Sequence, residues 1–361
     1  MDWLQISFGF ITSALLAWII IPIMIKAGIK FSLLDLPGKH KRHNEPTPIL
    51  GGAALFLSFW ITTFLGYFIF PSYFAGISGY LPYVFSGALI ILLVGLADDL
   101  YPLSAWVKLI AQVAAGLIIF MGGMSIDLVS TPEGSFQLGS FSVILTVAWV
   151  VILSNAINLI DGLDGLASGV SLIGALVLLI VSMLYNESSV ILLISALSGF
   201  LIVFLKFNLH PARIFLGDSG SMQIGFYFAV ISLIFPMKSY TISALYIPVL
   251  VLGLPILEAG SSFVRRLLSG KNVMSADRRH LFHYLELAGI PRKQVVYIFY
   301  FMAMIFGSFA LAMFFWDRII VFGYLVFFMV VIFSLFFILI VNLASRKKND
   351  RQGKNGFKNN K

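Results

Sequence analysis

Residues 87–112 read GALIILLVGLADDLYPLSAWVKLIAQ. An apolar run ends on two adjacent acids, Asp98 and Asp99. Pro102 interrupts the chain, and a second apolar run begins around Lys108. About 60% of the 361 residues are hydrophobic and 11% are charged, far from the averages of soluble domains. In lipid every backbone polar group must find its partner internally, so these runs read as membrane helices with a charged tip at one face. The pattern recurs. FSVILTVAWVVILSNAINLIDGLDGLASG (141–169) ends an apolar run on Asp161 and Asp164, and FLGDSGSMQIG (215–225) starts one at Asp218.

Working outward, runs near the length of a bilayer crossing fall at about 4–26, 50–70, 82–97, 106–123, 141–158, 165–185, 189–206, 220–236, 242–264, 294–316 and 318–344. The fold expected is an all-α polytopic membrane protein of about eleven transmembrane helices. Residues 6–25 read as a retained span rather than a cleaved signal. With the N-terminus outside, the inner segments hold 22 of the 24 lysines and arginines, and only Lys238 and Arg318 lie outside. That segregation supports both the count and the orientation, with the C-terminus cytoplasmic. All five acids named above and all five histidines then lie on the cytoplasmic side. One transmembrane domain, 1–345, carries cytoplasmic loops at about 27–49, 97–108, 158–165, 206–219 and 264–294. Residues 346–361 form a basic, low-hydrophobicity tail expected to be disordered and to touch anionic lipid.

The absence of cysteine excludes disulfides, a thiol nucleophile and cysteine-based metal sites. A net charge of +8 in such a chain speaks of orientation and phosphate partners, not nucleic acid. Adjacent helical residues point about 100° apart, so one acid of the Asp98–Asp99 pair can bind a metal while the other faces a substrate. The blander reading is a solvated helix end. Asn155, Asn158, Asp161 and Asp164 form a ladder at spacing three, and at least the first three share a helix face. Amides and carboxylates together suit a nucleobase or ribose. Asp218 precedes a helix start, where free N–H groups attract anions. It would repel a phosphate unless a cation sits between, so Asp218 is the first candidate metal ligand, against a plain helix cap. Magnesium takes oxygen ligands, one or two carboxylates plus substrate phosphates. Two basic segments, 40–52 and 265–286, carry histidines that orientation does not require. His280 and His283, at spacing three, are expected to share a helix face, and they fit phosphate or sugar binding better than a metal pair.

Five segments in order resemble the polyprenyl-phosphate N-acetylhexosamine-1-phosphate transferases. They are DLPGKHKRHNEPTPILGG (35–52), GLADDLYPLSAWVKLIAQ (95–112), NAINLIDGLDGLASG (155–169), FLGDSGSMQIG (215–225) and LPILEAGSSFVRRLLSGKNVMSADRRHLFHYL (254–285). The form of the first and last loops is closer to the enzymes that load GlcNAc-1-phosphate than to the phospho-MurNAc-pentapeptide translocases, which remain the alternative. The family commonly has Asp where Glu258 stands, and His-x-His-His where this chain has His280-Leu281-Phe282-His283. The longer acid is expected to reach the same partner. Phe282 is expected to pack rather than to stack on a base or sugar.

The resemblance implies transfer of a sugar-1-phosphate from a UDP-sugar to undecaprenyl phosphate, with release of UMP, at the cytoplasmic face of a bacterial inner membrane. It implies catalytic Asp98, Asp99 and Asp218. Mg²⁺, with Mn²⁺ as a substitute, is expected on Asp218 and one acid of the pair, Asp98 first; the other acid accepts the acceptor's last proton. It implies substrate contacts from Lys41, His43, Thr47, Asn155, Asn158, Asp161, Asp164, Arg265, Asp277, Arg279, His280 and His283. Membrane lipid is the expected surrounding, and the oligomeric state, homodimer included, stays open. A transporter would place its acids near the midplane and show inverted repeats, neither of which is seen here. An aromatic prenyltransferase would need Asn/Asp-x-x-x-Asp motifs, which the Asp161–Asp164 spacing does not match.

Overall fold

The computed structural model describes residues 3–36, 45–131, 134–234, 243–268, 280–317, 320–331 and 334. Its elements in chain order are α1 (Trp3–Lys30), β1 (Leu34–Asp35), β2 (Thr47–Pro48), α2 (Gly51–Ile69), α3 (Pro71–Phe74), α4 (Leu81–Leu100), α5 (Ala105–Met121), β3 (Leu128–Thr131), β4 (Gly134–Gln137), α6 (Phe141–Ile160), α7 (Leu166–Tyr185), α8 (Ser188–Asn208), α9 (Gly217–Ile234), α10 (Ser243–Val251), α11 (Gly253–Leu268), α12 (Leu281–Leu287) and α13 (Arg292–Phe315). A shorter apolar helix covers Ile320–Val331. Among the described residues, seven helices are long and apolar enough to cross a membrane: α1, α2, α4, α6, α7, α8 over Val190–Asn208, and α13. This is a mostly helical, multi-pass membrane protein.

The expected spans fall on helices wherever they are described, with one difference. The segment expected as a single crossing at 242–264 is two helices, α10 and α11, separated at Leu252. Pro248 lies within α10 and Pro255 near the start of α11. A proline removes an intrahelical donor and disfavours continuous helix. The two strand pairs are short antiparallel ribbons in connections between helices. β1 pairs with β2, and β3 with β4. The tail at 346–361 lies outside the described residues.

The outer helices show why the chain is lipid-soluble. α1 exposes Trp3, Leu4, Ile11, Leu15, Trp18 and Ile19, and buries Gln5, Gly9, Ser13, Ala17 and Ile21 against α8. Small residues at a spacing of four let two helices approach closely where lipid gives no hydrophobic drive between them. α9 sits at the centre. Every residue from Ser219 to Ile234 is buried, against α2, α4 and α6. Tyr227 stacks on Phe59 with ring centroids 4.2 Å apart, and Trp149 Nε1 donates to Ser232 Oγ at 2.7 Å. The position of α9 matters because Asp218 is in its first turn.

Candidate active site

The polar end of α9 is built by its neighbours. Asp99, in the last turn of α4, accepts hydrogen bonds from the Asp218 N–H at 2.7 Å, the Ser219 N–H at 3.2 Å and the Ser219 hydroxyl at 2.7 Å. It therefore satisfies donors that a helix start leaves free. Gly217 precedes them with φ +71, and a β-carbon there would run into the Asp99 carboxylate. Only glycine suits both demands. Asp218 is thus not the cap; the cap comes from another helix, and the Asp218 side chain is left to point elsewhere.

It points at a cation. Lys108, in the first turn of α5, donates to Asp218 Oδ2 at 2.7 Å and to Asp98 Oδ2 at 3.1 Å. Asp98 Oδ1 accepts the Leu103 N–H at 2.7 Å, which ties the 101–104 turn back onto α4. Asn158 Nδ2 donates to Asp218 Oδ1 and to Ser221 Oγ, both at 3.0 Å. The ends of α4 and α6 and the starts of α5 and α9 meet at these four side chains. The two acids of the pair do face different ways, as helical geometry requires.

Deeper along α6, Asn155 Nδ2 donates to Gln112 Oε1 at 2.6 Å, and Gln112 Nε2 lies 3.3 Å from Met222 Sδ. Asn155 is one turn removed from the aspartates and holds α5 to α6. Asp161 follows the end of α6. Burial, and then the nearby carboxylates of Asp218, Asp99 and Asp164, push its carboxyl up to about 8. Asp164 Oδ2 is 2.8 Å from His210 Nδ1 and accepts the Ala212 N–H at 3.3 Å. A cavity of about 200 Å³ opens beside it, lined by Gly162, Asp164, His210, Arg292, Lys293 and Tyr297 among others.

Two loops close on this cluster. Phe215 N–H donates to Pro48 O at 2.8 Å, while Gly51 N–H and Gly52 N–H donate to Phe215 O and Leu216 O, each at 3.1 Å. Thr47, buried and bonded to Glu45 O, therefore sits beside the strand of chain that leads into Asp218. On the other side α12 docks on the turn after α6. The Phe282 ring is buried and lies against Gly162, where any β-carbon would overlap it. The ring stacks on His280 at 5.5 Å and 12°. His280 and His283 do not share a helix face as expected. His280 is the extended residue before α12, which begins at Leu281, although the two rings are still 5.9 Å apart. Glu258 reaches this segment: its Oε1 accepts the Leu281 N–H at 2.9 Å. Arg265 donates to Ser261 Oγ at 3.0 Å, on α11. Lys41, His43, Asp277 and Arg279 lie outside the described residues.

Sequence reasoning passed over His210, the partner of Asp164, and Asn208. Asn208 accepts from Gly165 N–H and Ser168 Oγ and donates to Ile214 O. A polar residue closing an otherwise apolar helix was the available signal for Asn208. His210 had none beyond its place in a turn between two apolar runs.

Among the described residues no three acids or histidines form a ready-made metal cage. Two carboxylate oxygens converging on one cation, with an amide beside them, are nevertheless the hard donor set that magnesium accepts when substrate phosphates supply the rest.

The ends of α4 and α6 and the starts of α5 and α9 thus gather carboxylates, a lysine and amides into one polar cluster among apolar helices. Residues 81–236 match the model of Glycosyl transferase family 4. The chain is 33% identical over 312 residues to a Bacillus subtilis (strain 168) protein named "Probable undecaprenyl-phosphate N-acetylglucosaminyl 1-phosphate transferase", covering 86% of this chain and 85% of that one. It is 33% identical over 291 residues to a decaprenyl-phosphate N-acetylglucosaminephosphotransferase of Mycobacterium tuberculosis, covering 73% and 71%. It is 30% identical over 331 residues to a phospho-N-acetylmuramoyl-pentapeptide-transferase of Staphylococcus saprophyticus, covering 82% and 95%. The chain belongs to the polyprenyl-phosphate N-acetylhexosamine-1-phosphate transferase family and is an enzyme of the phosphosugar transferase class.

Proposed function

We propose that the protein transfers N-acetylglucosamine 1-phosphate from UDP-N-acetylglucosamine to undecaprenyl phosphate. An oxygen of the lipid phosphate attacks the sugar-linked phosphorus of the donor. The bond from that phosphorus to the bridging oxygen breaks, UMP leaves, and the lipid diphosphate sugar is formed. Such a product starts a cell-envelope polymer. The observation that carries this reading is the Lys108 ammonium held between Asp98 Oδ2 and Asp218 Oδ2, a cluster that keeps one net negative charge for a cation to offset. The names of the relatives support the transferred group and the acceptor class.

Phosphoryl transfer needs positioning and charge stabilisation more than covalent help from the protein. Asp218 and Asp98 would hold Mg²⁺, which neutralises charge on the donor diphosphate when bound. Lys108 offsets one of the two carboxylate charges and faces the same diphosphate. Asn158 fixes the rotamer of Asp218. Asp99 is reassigned from proton acceptor to anchor of α9, because its oxygens already accept three hydrogen bonds. No dedicated base is required, since the second ionisation of a phosphate monoester falls near pH 6. Asp161 and Asp164, beside the cavity that holds Arg292 and Lys293, are assigned to the uridine side of the donor. The topology that fits is eleven spans with the N-terminus outside. It puts the site on the cytoplasmic face of the bacterial inner membrane, where a soluble donor meets a lipid acceptor.

The test is incubation of purified protein with Mg²⁺, undecaprenyl phosphate and a panel of UDP-sugars, reading UMP release and the mass of the lipid product. A GlcNAc-diphosphate lipid is expected. Product only from the UDP-MurNAc-pentapeptide donor would move the protein to the other branch of its family, and no UMP from any donor would overturn the assignment.

A further inference from the structure

We propose that Glu258 is the positioning residue for His280 and sets which of its ring nitrogens carries the proton. The inference rests on the reading above only in assuming that His280 faces the donor. Glu258 Oε1 is engaged by the Leu281 N–H, which fixes the carboxylate at the start of α12. The other oxygen, Oε2, lies 3.5 Å from His280 Nδ1. The two side chains are 4% and 8% exposed, and neither of these two atoms has a hydrogen-bond partner among the described residues. A buried polar atom without a partner is costly, and here the nearest remedy for each atom is the other.

The chemistry of the two groups makes the pairing directional. An ionised carboxylate only accepts, whereas a neutral imidazole donates from one nitrogen and accepts at the other. Facing Glu258, Nδ1 must carry the hydrogen. Nε2 is then left with its lone pair, able to accept from a sugar hydroxyl or amide. A carboxylate behind a histidine fixes tautomer and ring orientation in this way in many sites. The ring cannot readily turn to escape, because Phe282 stacks on its face at 5.5 Å and is itself wedged against Gly162. Glu258 lies 22 residues before His280, across a segment outside the described residues, and the sequence alone marked it only as a departure from the family's usual aspartate.

Glu258→Gln separates this role from plain packing. The glutamine carbonyl can still accept the Leu281 N–H, but its NH₂ now faces Nδ1, which must accept, so the ring proton moves to Nε2. The readout is ¹⁵N chemical shift of the ring nitrogens in protein labelled at histidine, with the His280 signals assigned by their loss in His280→Gln. Spectra are taken above the imidazole titration range. The wild type is expected to show Nδ1–H and Glu258→Gln to show Nε2–H. The same variant is expected to lose about tenfold or more in kcat for the transfer, with the KM for undecaprenyl phosphate unchanged. Glu258→Asp, the residue commonly found in the family, is expected to restore most of kcat. Wild-type protein with the proton on Nε2 overturns the proposal without recourse to any Glu258 variant that fails to fold. So does a Glu258→Gln protein whose tautomer matches the wild type. A tautomer switch with wild-type kinetics upholds the pairing and instead removes His280 from the donor site.

Discussion

The Asp99 carboxylate accepts the backbone N–H of Asp218 at 2.7 Å, so the last turn of one membrane helix caps the first turn of another. Asp99→Ala removes that cap and leaves buried donors on α9 unanswered. A lost cap costs about 0.5–2 kcal/mol. The variant is expected to melt lower in detergent, and Asp218, no longer held, is expected to lose activity with it. Asp98→Asn is expected to lose activity at an unchanged melting temperature. Thermal scans of the two variants beside the transfer assay separate anchor from active-site acid. Equal melting temperatures for Asp99→Ala and wild type would sink the anchoring role.

Lys108 lies between two carboxylates and faces the place assigned to the divalent cation. Its removal in Lys108→Gln leaves two like charges together, a cluster more negative by one charge. The variant is expected to half-saturate at lower Mg²⁺ than the wild type, yet to turn over roughly tenfold or more slowly, within the range seen when charge stabilisation is lost. Asp218→Asn is expected to act oppositely on the metal, needing more Mg²⁺ and losing roughly 10²-fold or more in rate, since a Lewis acid supplies several kcal/mol. Activity against Mg²⁺ concentration for both variants gives the two signs. Same-direction shifts would refute the shared cluster.

Gly162 and Phe282 touch with no room for a side chain between them. Gly162→Ala is expected to push Phe282 out and to cut activity through the displaced α12. A smaller partner, in the double variant Gly162→Ala/Phe282→Leu, is expected to recover a good part of it. Phe282→Ala alone leaves a void and should cost about 3–5 kcal/mol if the site does not collapse. Phe282→His, which installs the family's usual residue, should retain most of the activity. Additive losses in the double variant would mean the contact does not couple the two loops.

Asp161 is expected to make one pH-dependent contribution to stability. An unfolded aspartate titrates near about 3.9. The folded chain, with this carboxyl pushed up to about 8, keeps the proton that the unfolded chain has lost. Stability from this group therefore falls as pH rises from roughly 4 through 8. Asp161→Asn has no charge to bury, so without Mg²⁺ its melting temperature should gain on the wild type as pH rises. That gain should grow steadily from about pH 5 and level off above about pH 8, where both states have lost the proton. A difference that does not change with pH would clear Asp161 of this role.

The membrane class, the positions of most helices and the grouping of the acids at helix ends were legible in the residues. Lipid permits few backbone solutions, and an apolar run bounded by Asp98–Asp99 or Asp161 announces its own length. What each acid touches was not legible. Asp98 and Asp99 are adjacent and chemically identical, and only the approach of α9 makes one a cap and leaves the other to Lys108. The break at Leu252 was passed over because VLVLGLPIL (249–257) is apolar throughout, and that run outweighed the signal of Pro248 and Pro255. His280 and His283 carried the spacing of a helix face, but the helix starts one residue too late to include the first. Family membership could be read from five short segments in order, since each keeps its residue types locally. The pairings Asp164–His210, Glu258–Leu281 and Gly162–Phe282 join residues 46, 23 and 120 positions apart. Contacts of that reach depend on how whole helices settle against one another, and nothing in a local stretch of chain encodes it.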